Sequence, residues 1–159
     1  IFAVPGLRLA YLAAHPQVIS KLASLVEPWS VSSLALSAGL YCLNQEGFVE
    51  STLNGLKVFR RNLIKGLESV GLGKVFPSEA NFVLMKLRDI FKPKDLIEFL
   101  LNEGILIRDA SNFNGLKPGY LRLAVRPVNE TAALLDALKD FIGQAPPDRP
   151  AMGGHRVRR

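Results

Sequence analysis

The sequence predicts an α/β layered fold, a sheet with helices packed on it, and three observations predict it. Apolar residues recur at helical spacing in several stretches, and short apolar runs bounded by glycine or proline lie between them. The balance of 48% hydrophobic and 21% charged residues is that of a globular chain. At 159 residues the chain is long enough to bury a core. No apolar run approaches the roughly 18 residues of a membrane span, so no membrane partner is expected. Ile1 to Leu25 has neither the order nor the cleavage site of a secretory signal, and the one cysteine, Cys42, fits a reducing cytoplasm.

The elements follow in order. "LRLAYLA", residues 7–13, alternates and reads as a short strand leaving the turn at Pro5-Gly6. From Pro16 the residues Val18, Ile19, Leu22 and Leu25 keep helical spacing, with Pro16 suited to a first turn. Pro28 interrupts, and Ser30 or Ser32 caps a helix to Leu43. That helix, "VSSLALSAGLYCL", is apolar all round and must be buried on most sides, which implies a neighbouring domain or subunit. Phe48 to Val70 is amphipathic, with Leu56, Leu63 and Leu67 on one face and Lys57, Arg60, Arg61 and Lys65 on the other; Gly71 and Gly73 stop it. "KVFPSEANFVLMKL" reads as a strand pair or one bent strand around Pro77, and Pro93 to Asn102 as a helix. "EGILIRDAS" and "GYLRLAVR" read as strands, and Asn129 as the cap of a last helix to Ile142.

The net charge of +6 is half located in the tail, where Arg149, Arg156, Arg158 and Arg159 stand against Asp148. The remainder is scattered with no basic run or aromatic ladder, so no nucleic-acid partner is expected. No metal site is expected either, because His15 and His155 lie far apart and no Cys or carboxylate has ligand spacing to them. Cys42, in the apolar helix, reads as a buried inert thiol, and there is no G-x-S-x-G, Walker or G-x-G-x-x-G loop.

What is left is a set of arginines among apolar neighbours: Arg8, Arg108, Arg122 and Arg126. At period two, Arg122 and Arg126 share a strand face with Ala124, and Leu121, Leu123 and Val125 take the other. Strand arginines are often merely solvated. Guanidinium groups are also the natural partners of planar carboxylate and phosphate, so several of them without a nearby acid point to an anionic ligand.

"IFAVPGLRLAYL" resembles the stretch that follows the cofactor-binding lysine in class I and II aminotransferases, with Ala3, Val4, Gly6, Arg8, Leu9 and Ala10 in register. That lysine, which forms the Schiff base, would fall just before Ile1. "EPWSVSSLA", "SEANFVLMKL" and "GILIRDASNFNGLKPGYLRLAVRPVNE" extend the resemblance to about residues 1–143. In order and spacing they are similar to the C-terminal half of the threonine-phosphate decarboxylase branch, relatives of the histidinol-phosphate aminotransferases. "PWSV" and Arg126 favour the decarboxylase branch; aminotransferases usually carry Gly at the latter place.

The resemblance implies the small domain of a fold type I transferase that uses pyridoxal 5'-phosphate. It implies that residues 1–30 end the large cofactor domain, 31–45 form the joining helix, 46–143 the small domain and 144–159 a flexible basic tail. It implies that Arg8 binds the cofactor phosphate, and that Arg122 and Arg108 hold the carboxylate and phosphate of an amino-acid phosphate. Asn81 and Arg126 are weaker candidates. The parent enzyme would be a cytoplasmic homodimer and a decarboxylase of cobalamin biosynthesis; this chain, as a C-terminal fragment without the lysine, would be inactive by itself. Two other classes stay open: a non-catalytic interaction domain with solvated arginines, and a chain that binds nucleic acid through its basic tail.

Overall fold

The computed structural model describes residues 2–144, and the chain divides into two compact units, one up to Gly55 and the other from Leu56. The expected tail therefore lies outside the described residues, except for Gln144, which ends the last helix.

The first unit holds a turn of 3-10 helix at Pro5–Leu7, α1 (Pro16–Ala23), α2 (Ser33–Leu43) and the beginning of α3 (Phe48–Val70). The strand expected over residues 7–13 does not form. Leu7 and Arg8 donate their N–H groups back to the Val4 and Pro5 carbonyls, Arg8 turns left-handed at φ 54°, and residues 9–15 continue without regular structure. An isolated extended run leaves its backbone groups unpaired, and no described residue supplies a strand to meet them. At α1, Pro16 occupies the first turn and His15 Nδ1 accepts the Gln17 N–H at 3.3 Å. At α2 the cap is Ser32, whose hydroxyl accepts the Ala35 N–H at 3.2 Å.

The apolar α2 is not enclosed by its own unit. Only Ala35 is buried, whereas Leu34, Leu40 and Leu43 are 73%, 63% and 77% exposed and Cys42 is half-buried. The eight-residue α1 has no buried residue, so it adds no second layer over this surface.

The second unit is a two-layer structure. β1 (Gly73–Val75), β2 (Phe82–Leu87), β3 (Arg108–Asp109) and β4 (Tyr120–Ala124) form an antiparallel sheet in the order β1-β2-β4-β3. Val83, Met85 and Leu87 of β2 and Leu121 and Leu123 of β4 are buried on one face, as period two requires. Against that face pack Leu63 and Leu67 of α3, Leu96 and Leu100 of α4 (Pro93–Asn102), and Leu134 and Leu138 of α5 (Val128–Gln144). Each such leucine contributes roughly 1.5–3 kcal/mol by leaving water, which makes this layer the stable part of the unit.

Four local features differ from the pattern-based expectations. Gly71, at φ 74°, ends α3, but Gly73 belongs to β1 and faces β2 so closely that a Cβ there would collide with the Lys86 carbonyl oxygen. The strand expected in "EGILIRDAS" shrinks to Arg108–Asp109, because Ile105 donates its N–H to Leu100 at the end of α4. Asn129 lies inside α5 rather than capping it. The Pro127 carbonyl accepts the Thr131 N–H at 2.9 Å, which starts the helix two residues earlier than expected.

The fourth is Arg60, which periodicity places on the solvent face and the structure buries. Its guanidinium donates to the Glu79 and Ala80 carbonyls at 3.2 and 3.1 Å and pairs with the Glu79 carboxylate at 2.7 Å. The loop between β1 and β2 folds over α3, and a long basic side chain can reach its carbonyls while its stem lies on the apolar surface.

Candidate functional site

The sheet face opposite the helices carries the alternate residues of each strand, and most of these are cationic or aromatic. In β4 they are Tyr120, Arg122 and Ala124; in β2, Phe82, Leu84 and Lys86; in β1, Lys74. Arg122 stands directly opposite Leu84 on one side and Arg108 on the other. Two of the expected anion-binding residues are therefore immediate cross-strand neighbours, although they lie 14 positions apart in the chain. Residues so paired present their side chains on the same face with Cβ atoms about 5 Å apart.

Like charges in that relation repel. A structural role would ordinarily bring a carboxylate to neutralise them, yet the ion pairs among the described residues leave out both Arg108 and Arg122. Instead, the Arg122 guanidinium carbon lies 5.1 Å from the Phe82 ring centre and 5.8 Å from that of Phe113, two aromatic neighbours that periodicity gave no reason to single out. At the other end of the face, the Lys86 ammonium pairs with Asp89 at 2.9 Å and lies 6.0 Å from the Tyr120 ring, so that cation is neutralised. Lys86 holds the Asp89 carboxyl below its ordinary pKa, first through the hydrogen bond and then through its charge.

Arg126, which shares the outer face by period, is otherwise engaged. Its Nε donates to Glu130 at 2.8 Å, a contact of residues four apart, and the pairing raises the guanidinium pKa further above its ordinary value. Asn81 acts through its backbone, its carbonyl accepting the Val125 N–H at 2.9 Å. In the first unit, Arg8 is exposed and its Nη1 donates to the Pro5 carbonyl at 3.2 Å, the same oxygen that accepts the Arg8 backbone N–H. The guanidinium thus uses one donor locally, and the side-chain hydrogen bonds among the described residues include no other from it. The left-handed backbone of Arg8 is shared, among the non-glycine residues described, with Ala3 and Trp29. Among the described residues, no group of three His, Cys, Asp or Glu could hold a metal ion, and no helix is long and apolar enough to cross a membrane.

The chain belongs to the class I and II aminotransferase family, whose model matches residues 1–139. It is 34% identical over 151 residues to the threonine-phosphate decarboxylase of Salmonella typhimurium, covering 92% of this chain and 40% of that protein. It is 35% identical over 145 residues to the histidinol-phosphate aminotransferase of Symbiobacterium thermophilum, covering 91% of this chain and 38% of that protein. Among solved structures, the histidinol-phosphate aminotransferase of Clostridium acetobutylicum matches with a TM-score of 0.85 at 31% identity, over 91% of this chain and 43% of that one. The chain spans less than half the length of each of these relatives.

Proposed function

We propose that this chain forms the substrate-anchoring part of a pyridoxal 5'-phosphate enzyme that decarboxylates threonine phosphate. Arg122 and Arg108 hold the substrate's two anions, and Arg8 holds the cofactor phosphate. The observation that carries this reading is the cross-strand pair Arg108 and Arg122, set side by side with no acidic partner among the described residues. Amino-acid phosphates bear both a carboxylate and a phosphate, and each matches the fork of a guanidinium. The donor set of Arg8 fits the cofactor's phosphate: a permanent positive charge with one N–H group bonded to the Pro5 carbonyl, on the residue that closes the 3-10 turn.

When bound, the cofactor supplies an electron sink for the bond that breaks. The contribution of these residues is orientation. Arg122 and Arg108 would fix how the substrate's carboxylate is presented to the cofactor, and this orientation would decide between loss of carbon dioxide and amino transfer. Histidinol-phosphate aminotransferase is the second reading, supported by the 35% identical relative and by the 0.85 TM-score. Arg126 does not separate the two in this structure, because its guanidinium is bound to Glu130. The exposed apolar surface of α2 would be covered, in the working enzyme, by further chain or by a second copy.

The test is carbon dioxide release from threonine phosphate, measured against transamination of histidinol phosphate, in the protein that carries this chain. Arg122→Ala should lower kcat/KM for the preferred substrate about 100-fold or more, the loss of a charge-assisted paired contact of roughly 3 kcal/mol. Arg122→Lys should recover only part of it. Equal activity in both variants and the unmutated enzyme would dismiss the assignment of Arg122.

A further inference from the structure

We propose that Phe113, together with Phe82, is a positioning residue that clamps the Arg122 guanidinium so that its N–H edge faces outward for an anion. The inference rests on the anion-binding reading above and adds to it the groups that orient the arginine. Phe82 lies on β2 opposite Ala124, diagonal to Arg122, so its ring reaches the guanidinium along the sheet. Phe113 comes from the loop between β3 and β4 and reaches the same guanidinium from outside the sheet.

That loop is built to hold Phe113 in place. Asp109 accepts the Ser111 N–H at 2.8 Å, Phe113 donates its N–H to Ala110 at 3.1 Å, and its carbonyl accepts the Leu116 N–H at 3.0 Å. Phe113 nonetheless stays 43% exposed and Phe82 37% exposed, outside the buried cluster of the unit. Their placement follows the arginine rather than the core.

The chemistry is that of cation and ring. Aromatic faces carry partial negative charge, so they attract the guanidinium and soften its repulsion from Arg108 without using any of its donors. A carboxylate in the same place would occupy those donors and expel an incoming anion. Two rings beside one guanidinium also restrict the rotamers of a flexible side chain before a ligand arrives, so less freedom is lost on binding. The loop thus couples the ordering of Phe113 to the affinity of Arg122.

The experiment is titration of the whole 159-residue chain with inorganic phosphate, following the side-chain Nε–H resonances of Arg108 and Arg122 by NMR. Before phosphate is added, the Arg122 Nε–H should carry a ring-current shift that Arg108 lacks and that is reduced in Phe113→Leu. With phosphate, Phe113→Leu should bind about threefold to tenfold more weakly, and Phe113→Tyr, which keeps the ring, within about twofold of the unmutated chain. Phosphate binding in Phe113→Leu equal to that of the unmutated chain, or an Arg122 Nε–H without a ring-current shift, would overturn the clamp while leaving the anion site intact. No response of either arginine to phosphate in the unmutated chain would overturn the anion site, and the clamp with it.

Discussion

Replacing Arg60 by alanine should destabilise the second unit by about 3 kcal/mol from the three polar contacts it loses. Two charge-assisted hydrogen bonds, to the Glu79 and Ala80 carbonyls, contribute roughly 1 kcal/mol each. The ion pair with Glu79 adds at most about 1 kcal/mol, because that carboxylate is 96% exposed and its charge is screened by water. The stem of Arg60 also covers apolar surface, which alanine would uncover. Glu79→Ala should therefore cost at most about 1 kcal/mol, and the two substitutions should be nearly additive apart from that amount.

The assay must report on the correct unit. Trp29, the only tryptophan, lies in the first unit, so its fluorescence is a poor probe of this one. Urea unfolding followed by far-UV dichroism, with amide exchange read at Val83 and Met85 in the centre of β2, would serve, and an unchanged m-value would confirm that the folded state is the same. Equal costs for Arg60→Ala and Glu79→Ala would refute the reasoning, since the ion pair rather than the carbonyl contacts would then hold the loop. The same loop ends at Asn81 and Phe82, so its loosening in Arg60→Ala should also broaden the Arg122 side-chain resonance.

Two further outcomes follow from single contacts. Gly73→Ala should cost about 1–3 kcal/mol and separate β1 from β2, seen as lost exchange protection at the Lys74 and Phe76 amides, because its Cβ would meet the Lys86 carbonyl. Asp89 should titrate below its ordinary 3.8, and Lys86→Ala should bring it back towards that value in an NMR pH titration. A carboxyl with a lowered folded-state pKa stabilises the fold above its unfolded pKa. That contribution should fade as pH falls through the folded value, below 3.8, so the stability difference between the Lys86 variant and the unmutated chain should narrow there, leaving the share due to the Lys86 contacts with the Leu87 carbonyl and the Tyr120 ring.

Elements with strong local signals were legible from residue pattern. The range of α3 as Phe48–Val70, the range of α4 as Pro93–Asn102, and the alternation of buried Leu121 and Leu123 with outward Arg122 all agree with the pattern-based reading. Amphipathic spacing over many residues, a proline at a first turn and period two are each local instructions, which chain neighbours alone can express. Arg108 and Arg122 were identifiable as isolated cations in apolar runs for the same reason.

The remainder depended on partners distant in the chain. The strand expected at residues 7–13 had the right alternation and no neighbour to bond with, and β3 shortened because α4 claims the Ile105 N–H. Arg60 is buried because a loop 19 positions away folds over it, which helical spacing does not encode. Phe82 and Phe113 became part of the candidate site only when β2, β4 and the loop after β3 came together around Arg122. Local pattern thus decided which residues are chemically unusual and which face of each element they occupy. Tertiary pairing decided which of them meet, because backbone hydrogen bonds and like-charge repulsion are settled only between segments that touch.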